Sequence, residues 1–417
     1  MELKRVVVTG MGTINPLGHN ITEFWENLKS GVSGAGPITR FNPEKFKTRF
    51  ACEVKNFDEV DAQFFNKKET GRLDLFAKFA LISAEEAWKN SGLTPENFNH
   101  DRAGVIWGSG IGGINTLTEE VEQFCQGDGS PRFSPFFIPK MISDIAPGHI
   151  SMKYDLRGPN FTTVSACASS TNAIIDAFNY VRLGKADIIV TGGSESPVGI
   201  AAVAGFNSMK ALSTNNDNYK TASRPFDATR DGFVIGEGGG CLILEEYEHA
   251  VKRGAKILCE LAGSGLTADA HHITAPHPEG RGAAAVMKLA IEDAGLKPED
   301  IDYVNVHGTS TGLGDIAESK AIQQVFGDYA YKVSISSTKS MTGHLLGGAG
   351  VVESIACVLA MLNETVPPTI NFQNPDPHID PKLDITPNVA KKRVIRAALN
   401  NTFGFGGHNA SVVFKKI

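Results

Sequence analysis

One of the six cysteines, Cys167, lies in a segment whose composition is typical of a nucleophile. In the sequence VSACASSTNAIIDAF, small and hydroxyl residues surround the thiol, and apolar residues from Ala173 to Val181 recur at helical spacing just beyond it. The thiol is therefore expected near the start of a buried helix, where free N–H groups and the helix dipole favour a thiolate with a lowered pKa. The same N–H groups can hold a developing oxyanion. A second interpretation stays open, in which the thiol is only a small buried side chain.

Two later segments supply candidate partners for this thiol. In VNVHGTSTGLGD, His307 directly follows a strand-like run and precedes a turn lined with hydroxyls, and functional groups of α/β proteins gather at the ends of strands. In SSTKSMTGHLLGGAG, Lys339 and His344 lie where a long apolar helix is expected to begin. A structural interpretation stays open for each of these residues. His307 could be a loop histidine whose hydrogen bonds serve only the fold, and Lys339 and His344 could be the polar first turn of a core helix. The glycine-rich loop in NTFGFGGHNA follows a strand-like run, which brings its backbone close to a ligand or to another loop.

This set of side chains favours acyl transfer over proteolysis. A cysteine protease needs one histidine that is oriented by an asparagine or aspartate, whereas two histidines can donate to one carbonyl group. The motif GSGIGG at Gly108–Gly113 matches a dinucleotide-binding pattern, but a helical segment, TEEVEQFCQGDGS, stands where that fold needs a second strand with an acidic end. His271, His272 and His277 have no ligand pattern around them, and we interpret them as loop histidines rather than metal ligands.

Composition excludes several classes of protein. Hydrophobic residues make up 41% of the 417 residues, which is incompatible with disorder and leaves room for two or three domains. The net charge of −6 argues against binding to nucleic acid or a membrane surface, and an acidic partner would need a local basic patch. The cysteines form no CxxC pair, and we find no signal core and no apolar run of 18 residues. These features predict a soluble, cytoplasmic protein.

The elements that must position the candidate residues alternate along the chain. Short β-branched runs, each closed by glycine, predict buried parallel strands at 5–9, 103–107 and 187–191, and apolar stripes predict helices at 76–91 and 173–183. After residue 255 the order begins again, with strand-like runs at 257–262, 301–306 and 334–340. The sequence thus predicts an α/β fold in two halves, residues 1–255 with the cysteine and residues 256–417 with the two histidines and the lysine. The segments 41–65 and 127–147 are expected to be insertions in the first half.

Nine ordered strings together resemble the 3-oxoacyl-[acyl carrier protein] synthases of the thiolase-like superfamily, and in particular the elongating synthases of bacterial type II fatty acid synthesis. The strings cover essentially the whole chain: RVVVTGMG, PFFIPKMISD, GHISMKYDLRGPN, VSACASS, SRPFDATRDGFVIGEGGG, VNVHGTSTGLGD, SSTKSMTGHLLGGAG, PPTINFQNPDP and NTFGFGGHN. The resemblance implies a duplicated, five-layered α/β/α/β/α thiolase-like fold and a homodimer. It implies no cofactor and no metal.

The resemblance also assigns roles to residues of this chain. Cys167 would take an acyl chain from acyl carrier protein, while His307 and His344 would bind the malonyl thioester carbonyl and stabilise the enolate formed as CO2 leaves. Lys339 and Glu318 would set the protonation and orientation of the histidines. The N–H groups of Cys167 and Phe403 would form the oxyanion hole, with Phe403 also gating the site. Thr309 and Thr311 would bind the pantetheine arm, Ile111 would border the acyl tunnel, and Phe137 from the partner subunit would close it. Acyl carrier protein would bind a basic patch formed by Lys67, Lys68, Arg72, Arg132 and Lys210.

Three positions depart from the family pattern. Gly312 stands where HGTSTP has proline, and we expect a looser loop there; His408 and Asp144 replace the more common threonine and asparagine. Within the superfamily, a thiolase would have a second cysteine in the last glycine loop, and the initiating synthase would have asparagine in place of His344. A non-catalytic chain-length subunit would lack Cys167. A polyketide ketosynthase shares every one of these catalytic residues and stays the main alternative.

Overall fold

Strands and helices alternate through residues 3–417, which the structure, a computed structural model, describes. The strands are β1 Val6–Ile14, β2 Gly36–Pro37, β3 Phe50–Ala51, β4 Ala103–Gly108, β5 Asn160–Thr163, β6 Ile188–Glu195, β7 Gly238–Glu246, β8 Cys259–Ala268, β9 Tyr303–Asn305, β10 Ser334–Ser336, β11 Thr365–Val366, β12 Lys391–Lys392, β13 Ala397–Gly404 and β14 His408–Lys415. The helices are α1 Ile21–Lys29, α2 Phe57–Phe64, α3 Lys67–Thr70, α4 Leu75–Ser91, α5 Ile114–Gln126, α6 Phe137–Met141, α7 Ile145–Tyr154, α8 Ser169–Arg182, α9 Ile200–Ser208, α10 Tyr247–Lys252, α11 Arg281–Asp293, α12 Gly312–Phe326, α13 Lys339–Thr342 and α14 Ala349–Asn363.

One ten-stranded sheet contains two copies of the same plan. Its strand order is β10-β9-β13-β14-β8-β1-β7-β6-β4-β5. If the five strands of each half are numbered along the chain, both halves have the order 3-2-4-5-1, with the same parallel and antiparallel pairs. The halves join where β1 pairs with β8 in antiparallel fashion. The duplicated α/β fold expected from the sequence is confirmed; the division at residue 255 stays a prediction.

Helices α8 and α14 form the middle of five layers. Each packs against strands of both halves of the sheet, and they also pack against each other. Helices α4 and α7 cover the outer face of the first half, and α11 with α12 covers that of the second. Glycine lets the two middle helices approach closely, because a Cβ on Gly350 would clash with Oγ1 of Thr171. The segment Leu346–Asn363 is apolar and long enough to cross a membrane, contrary to the sequence analysis, but 89% of it is buried in this middle layer.

Each middle helix follows a strained turn of the same type. The first is the 3₁₀ turn Ala166–Ala168 before α8, and the second is the 3₁₀ turn Leu346–Gly348 before α14. Both begin with a non-glycine residue in the left-handed region, Ala166 at φ 51° and Leu346 at φ 47°, a conformation that costs about 1 kcal/mol or more. Such strain persists only where the surrounding structure fixes the turn, and strained backbone is common at functional sites.

Two predicted elements differ from the structure. Strand β1 is antiparallel to both neighbours, whereas we expected a parallel strand, because it lies at the junction of the halves and pairs with β7 and β8. Lys339 and His344 do not share the first turn of one long helix. The short helix α13 begins at Lys339 and ends before Gly343, whose φ of 68° breaks the helix, and α14 begins only at Ala349.

Candidate active site

Cys167 lies in the strained turn at the start of α8, as the sequence predicted. Its side chain is 8% exposed and lines a cavity of about 800 Å³ that is otherwise mainly apolar. The predicted lowering of its pKa is wrong. Burial raises the pKa of the thiol to about 12, while the Lys339 charge and the N–H groups of Phe405 and Cys167 oppose this effect. The resting sulfur is therefore a neutral thiol, which must lose its proton as it attacks.

The two candidate histidines line the same cavity and lie against each other. The rings of His307 and His344 are 5.3 Å apart between centroids, with an angle of 89° between their planes. Burial lowers the pKa of both imidazoles well below 6.5, and the positive charge of Lys339 lowers both further. Both are neutral at physiological pH, so each has one N–H to donate and cannot act as a strong acid.

Backbone contacts fix each histidine from a different side. The N–H groups of His307 and Gly308 donate to the two carboxylate oxygens of Glu318, both at 2.9 Å. The N–H of His344 donates to the carbonyl of Val234 at 2.7 Å, and its carbonyl accepts from Gly236 at 2.9 Å. Glu318 thus holds the His307 turn rather than either ring. Its own pKa is raised to about 7 by burial, against the hydrogen bonds that it accepts.

The ion pair of Lys339 involves a residue that sequence analysis did not single out. Its Nζ is paired with Oε1 of Glu353 on α14, and both side chains are almost completely buried. Burial raises the pKa of the Glu353 carboxyl, and Lys339 opposes the rise. Glu353 carries no motif signal, because it is one polar position in an otherwise apolar helix. Only its position about one turn into α14, facing α13, makes it a partner.

The glycine-rich loop lies against the turn that carries Cys167. Gly404 leaves no room for a side chain, since a Cβ there would lie 2.8 Å from the Ser165 carbonyl oxygen and 3.2 Å from the Cys167 nitrogen. The N–H of Phe405 lowers the pKa of the Cys167 thiol by hydrogen bonding. The ring of Phe403 lies 5.6 Å from the ring of His307. The role of the Phe403 N–H in the oxyanion hole stays a prediction.

The cavity brings most of the other predicted residues together. Thr309 and Thr311 line it, with their hydroxyls 3.1 Å apart, and Ile111 borders it as well. Phe137 does not line this cavity. It stacks on Phe133, with centroids 5.4 Å apart, in an aromatic cluster on the surface that also includes Phe124. The predicted role of Phe137 requires a second subunit, so it stays a prediction.

The five residues of the basic patch are all exposed at the surface. Lys67 and Lys68 form the first turn of α3, and Arg72 just beyond it places its guanidinium 4.7 Å over the ring of Phe136. Arg132 is in the exposed loop after α5. Lys210 lies at the rim of the cavity, where it has a φ of 56°.

The three departures from the family pattern lie in defined places. Gly312 is the first residue of α12, and Arg230 donates to the carbonyls of Thr311 at 3.0 Å and Gly312 at 2.9 Å. These bonds pin the loop that we expected to be loose. His408 is exposed at the start of β14, and Asp144 precedes α7 without a side-chain hydrogen bond to that helix. We find no structural effect of these last two residues.

The glycines of GSGIGG pack against protein rather than leave space for a phosphate. Cβ atoms on Gly112 and Gly113 would approach the carbonyls of Met141 and Lys140, and one on Gly110 would lie 3.0 Å from the Glu195 carboxylate. Among residues 3–417 we find no group of three histidine, cysteine or acidic side chains arranged to hold a metal ion. His271 and His277 lie with their rings 5.1 Å apart on the surface loop after β8.

A thiol and two neutral imidazoles therefore line one mainly apolar cavity, and the charge of a buried ammonium acts on all three. This set can form a thioester and can stabilise an enolate by hydrogen bonding without a strong base. The duplicated five-layered fold and this site define the class of thiolase-like condensing enzymes, which are acyltransferases.

Within that class, the chain belongs to the beta-ketoacyl synthase family. The N-terminal domain of beta-ketoacyl synthases matches residues 3–250, and the C-terminal domain matches residues 258–373. The chain is 48% identical over 416 residues to 3-oxoacyl-[acyl-carrier-protein] synthase 2 of Synechocystis, covering 100% of this chain and 99% of that protein. It is 45% identical to the enzyme of the same name from Coxiella burnetii, with both chains fully covered. The resemblance found in the sequence is confirmed.

Solved structures agree in fold over the whole chain. A beta-ketoacyl synthase from Burkholderia phymatum superposes with a TM-score of 0.91 at 35% identity, covering 99% of this chain and 100% of that one. The ketosynthase complex AntDE:AntF, described as a type II polyketide acyl-carrier protein in complex with its ketosynthase, superposes with a TM-score of 0.90 at 33% identity, with full coverage of both chains.

Proposed function

We propose that this protein catalyses the decarboxylative condensation of malonyl-acyl carrier protein with a Cys167-bound acyl chain, the elongation step of type II fatty acid synthesis. The observation that carries the proposal is that Cys167, from the first half of the chain, and His307 and His344, from the second, line one cavity. The curated relatives at 45–48% identity, which are named 3-oxoacyl-[acyl-carrier-protein] synthase 2, support the same reaction.

The first half-reaction forms the thioester. The Cys167 sulfur attacks the carbonyl of the acyl-carrier thioester, and the N–H groups of Cys167 and Phe403 stabilise the oxyanion. The carrier thiolate then leaves and takes the proton that the cysteine gives up. Because the resting thiol is neutral, this proton must move during the attack, and the Lys339 charge favours the transient thiolate.

The second half-reaction forms the carbon–carbon bond. Neutral His307 and His344 donate hydrogen bonds to the malonyl thioester carbonyl, so that negative charge gathers on that oxygen as CO2 leaves. The resulting carbanion attacks the acyl-Cys167 carbonyl, and the cysteine leaves as a thiolate that takes up a proton from solvent. The products are 3-oxoacyl-carrier protein, CO2 and the free enzyme. Splitting the condensation into two thioester steps predicts ping-pong kinetics.

Acyl carrier protein is the partner that this mechanism requires, and we propose that it docks on Lys67, Lys68, Arg72, Arg132 and Lys210. Carrier proteins of this type are acidic, so an enzyme with a net charge of −6 needs such a local patch. Lys210 at the cavity rim supports an approach of the carrier to that opening.

We also propose a homodimer in the cytoplasm. Strand β5 is the last strand of the sheet, and Val164, directly after it, is 63% exposed. A second copy that pairs along β5 would cover this edge and bring its Phe137 cluster toward the cavity. The six cysteines are all unpaired, which supports a reducing compartment.

The decisive experiment separates the two half-reactions. The protein is incubated with acyl-carrier protein, the Cys167 peptide is weighed, and CO2 release from malonyl-carrier protein is measured separately. Cys167→Ala should abolish acylation, and His307→Ala should keep acylation while it stops decarboxylation. Normal condensation by the His307 variant would contradict the assigned roles.

A polyketide ketosynthase remains the second candidate function, since a solved type II polyketide ketosynthase shares the fold over the full chain. The same acylation assay with chains of graded length decides between them. Smooth acceptance of saturated chains of increasing length supports fatty acid elongation, whereas selective acceptance of polyketone chains supports the alternative.

A further inference from the structure

Glu195, the last residue of β6, is a fully buried carboxylate at the wall of the cavity that contains Cys167. Its Oε1 accepts from the Ser109 hydroxyl at 2.7 Å and from the Ile111 N–H at 3.2 Å. Its Oε2 accepts from the Gly347 N–H at 3.3 Å. The mechanism above makes no use of this side chain, although it lies among the groups that the mechanism does use.

Three segments of the site converge on this carboxylate. The first is the loop Gly108–Gly113, which contains Ile111; the second is the strained turn before α8; the third is the corresponding turn before α14. A Cβ on Gly110 would lie 3.0 Å from Glu195 Oε2 and 3.3 Å from the carbonyl oxygen of Ala166. A Cβ on Gly347 would lie 2.6 Å from the Gly110 nitrogen. The carboxylate bonds two of these segments, the loop Gly108–Gly113 and the turn before α14, and Gly110 of the loop packs against the turn that carries Cys167.

Burial of a carboxylate without a neighbouring cation costs desolvation free energy. We find no salt bridge to Glu195 in the part of the chain that the structure describes, and burial raises the pKa of the carboxyl to about 7 in spite of the hydrogen bonds that it accepts. An apolar side chain at this position would avoid the desolvation cost. It could not, however, fix the positions of the Ser109, Ile111 and Gly347 donors relative to the sulfur.

We propose that Glu195 is a positioning residue for acyl transfer: it bonds the loop that borders the acyl chain to the Gly347 turn, and through Gly110 of that loop it supports the turn that carries Cys167. This role rests on the proposed function. Each segment leads directly to a working group, because Ile111 borders the cavity, Ala166 precedes Cys167, and Gly347 is three residues from His344. Misplacement by about 1 Å can cost about 100-fold in rate, which makes rigidity at this junction valuable.

Glu195→Gln tests the proposal with little change in size, because the amide has only one oxygen to accept with and its NH2 group faces an N–H donor. We expect acylation of Cys167 at saturating acyl-carrier protein to slow by about 10- to 100-fold. We expect KM for the carrier to stay within about threefold, since the substitution changes none of the residues of the docking patch. Ser109→Ala removes one of the bonds to Glu195 and should give a smaller loss.

Glu86→Gln is the matched control. Glu86 on the outer helix α4 is a half-buried carboxylate that also accepts from two backbone N–H groups, those of Thr13 and Ile21, both at 2.9 Å. Burial also raises its pKa. This variant should lose thermal stability to a similar extent and keep the wild-type acylation rate. Equal acylation rates for the Glu195 and Glu86 variants would overturn the proposal.

A second readout does not depend on the proposed function. Iodoacetamide alkylation of Cys167 is followed by peptide mass as a function of pH. Lys339 and Glu195 are the charges that act on the thiol, and the other charged and titratable side chains of the cavity are those of Lys210, Arg230, Asp231, Asp269, His307, Asp315, Glu318 and His344. The Glu195 charge opposes formation of the thiolate, so Glu195→Gln should move the alkylation profile to lower pH, and Glu86→Gln should not. An unmoved profile together with an unchanged acylation rate rejects the positioning role. A wild-type protein that is alkylated but never acylated rejects the proposed function instead.

Discussion

The ammonium of Lys339 is paired with the carboxylate of Glu353 in the interior of the protein, and its charge acts on the Cys167 thiol and on both imidazoles. A single buried cation thus lowers the pKa of all three groups. It favours the transient thiolate, and it keeps His307 and His344 neutral. Glu353 balances this charge from α14, on the side away from the substrate groups that the cavity would hold.

Replacing one member of this pair should cost much more stability than replacing both. Lys339→Met leaves the Glu353 carboxyl buried and without its partner, which is expected to cost about 3–5 kcal/mol. The double variant Lys339→Met/Glu353→Gln should recover most of this loss, since no charge remains to be desolvated. Denaturant unfolding measures both. Equal losses in the single and double variants would show that packing, and not charge, dominates at this position.

The pH dependence of decarboxylation follows from the lowered pKa values of the two histidines. An imidazole is neutral above its pKa, so a pKa below 6.5 keeps both donors neutral as the pH falls through 6.5. We expect CO2 release from malonyl-carrier protein to be level between pH 8 and about 6.5, with its acid limb at lower pH. In Lys339→Met the acid limb should move up toward 6.5. A wild-type limb centred at 6.5 would mean that the histidines are not shielded.

Gly404→Ala tests the oxyanion hole proposed for the Cys167 thioester. The added methyl group would lie 2.8 Å from the Ser165 carbonyl oxygen and 3.2 Å from the Cys167 nitrogen, so the loop must move away and carry the Phe403 N–H with it. Loss of one such donor costs about 100- to 1,000-fold in kcat. Gly406, in the same loop, has a φ of 89°, and a Cβ built there would meet only the ring of the exposed His408. Activity close to wild type in Gly404→Ala would remove Phe403 from the oxyanion hole.

Gly312→Pro should stabilise the protein. Gly312 is the first residue of α12, where proline is favoured, no atom lies within 4 Å of a Cβ built there, and Thr311 before it has the extended φ and ψ of −104° and 146° that proline requires. Restriction of the unfolded chain should add about 0.4–1 kcal/mol. Calorimetry would register this as a higher Tm at unchanged acylation rate. A lower Tm would indicate that the loop held by Arg230 has a shape that proline cannot adopt.

Charge reversal at the first turn of α3 should weaken carrier binding in a salt-dependent way. Lys67→Glu/Lys68→Glu is expected to raise KM for acyl-carrier protein steeply at low salt and to leave kcat unchanged, because only the encounter is affected. Lys256→Glu/Lys288→Glu makes the same change of charge at exposed positions elsewhere. If both double variants shift KM equally, net charge rather than a docking patch controls the association.

The sequence predicted those features of the site that depend on residues close together along the chain. The apolar stripe after Cys167 predicted a helix start, and the run before His307 predicted a strand end, because each depends on neighbours within a few residues. Glu353 and Glu195 carry no such signal, since their partners Lys339 and Gly347 are 14 and 152 residues away. The raised pKa of Cys167 was missed for a related reason. The helix start that favours the thiolate is visible in sequence, whereas the long-range burial that opposes it is not.

The paired strained turns have a consequence for how the site is built. The two halves place equivalent backbone corners face to face, one bearing the sulfur of Cys167 and the other only the bare amide of Gly347, which is bonded to Glu195. The reactive thiol thus lies in one of the two equivalent turns, while the other turn helps to hold the site rigid. A repeated architecture of this kind lets one copy specialise in reactivity without losing the rigidity that both copies share.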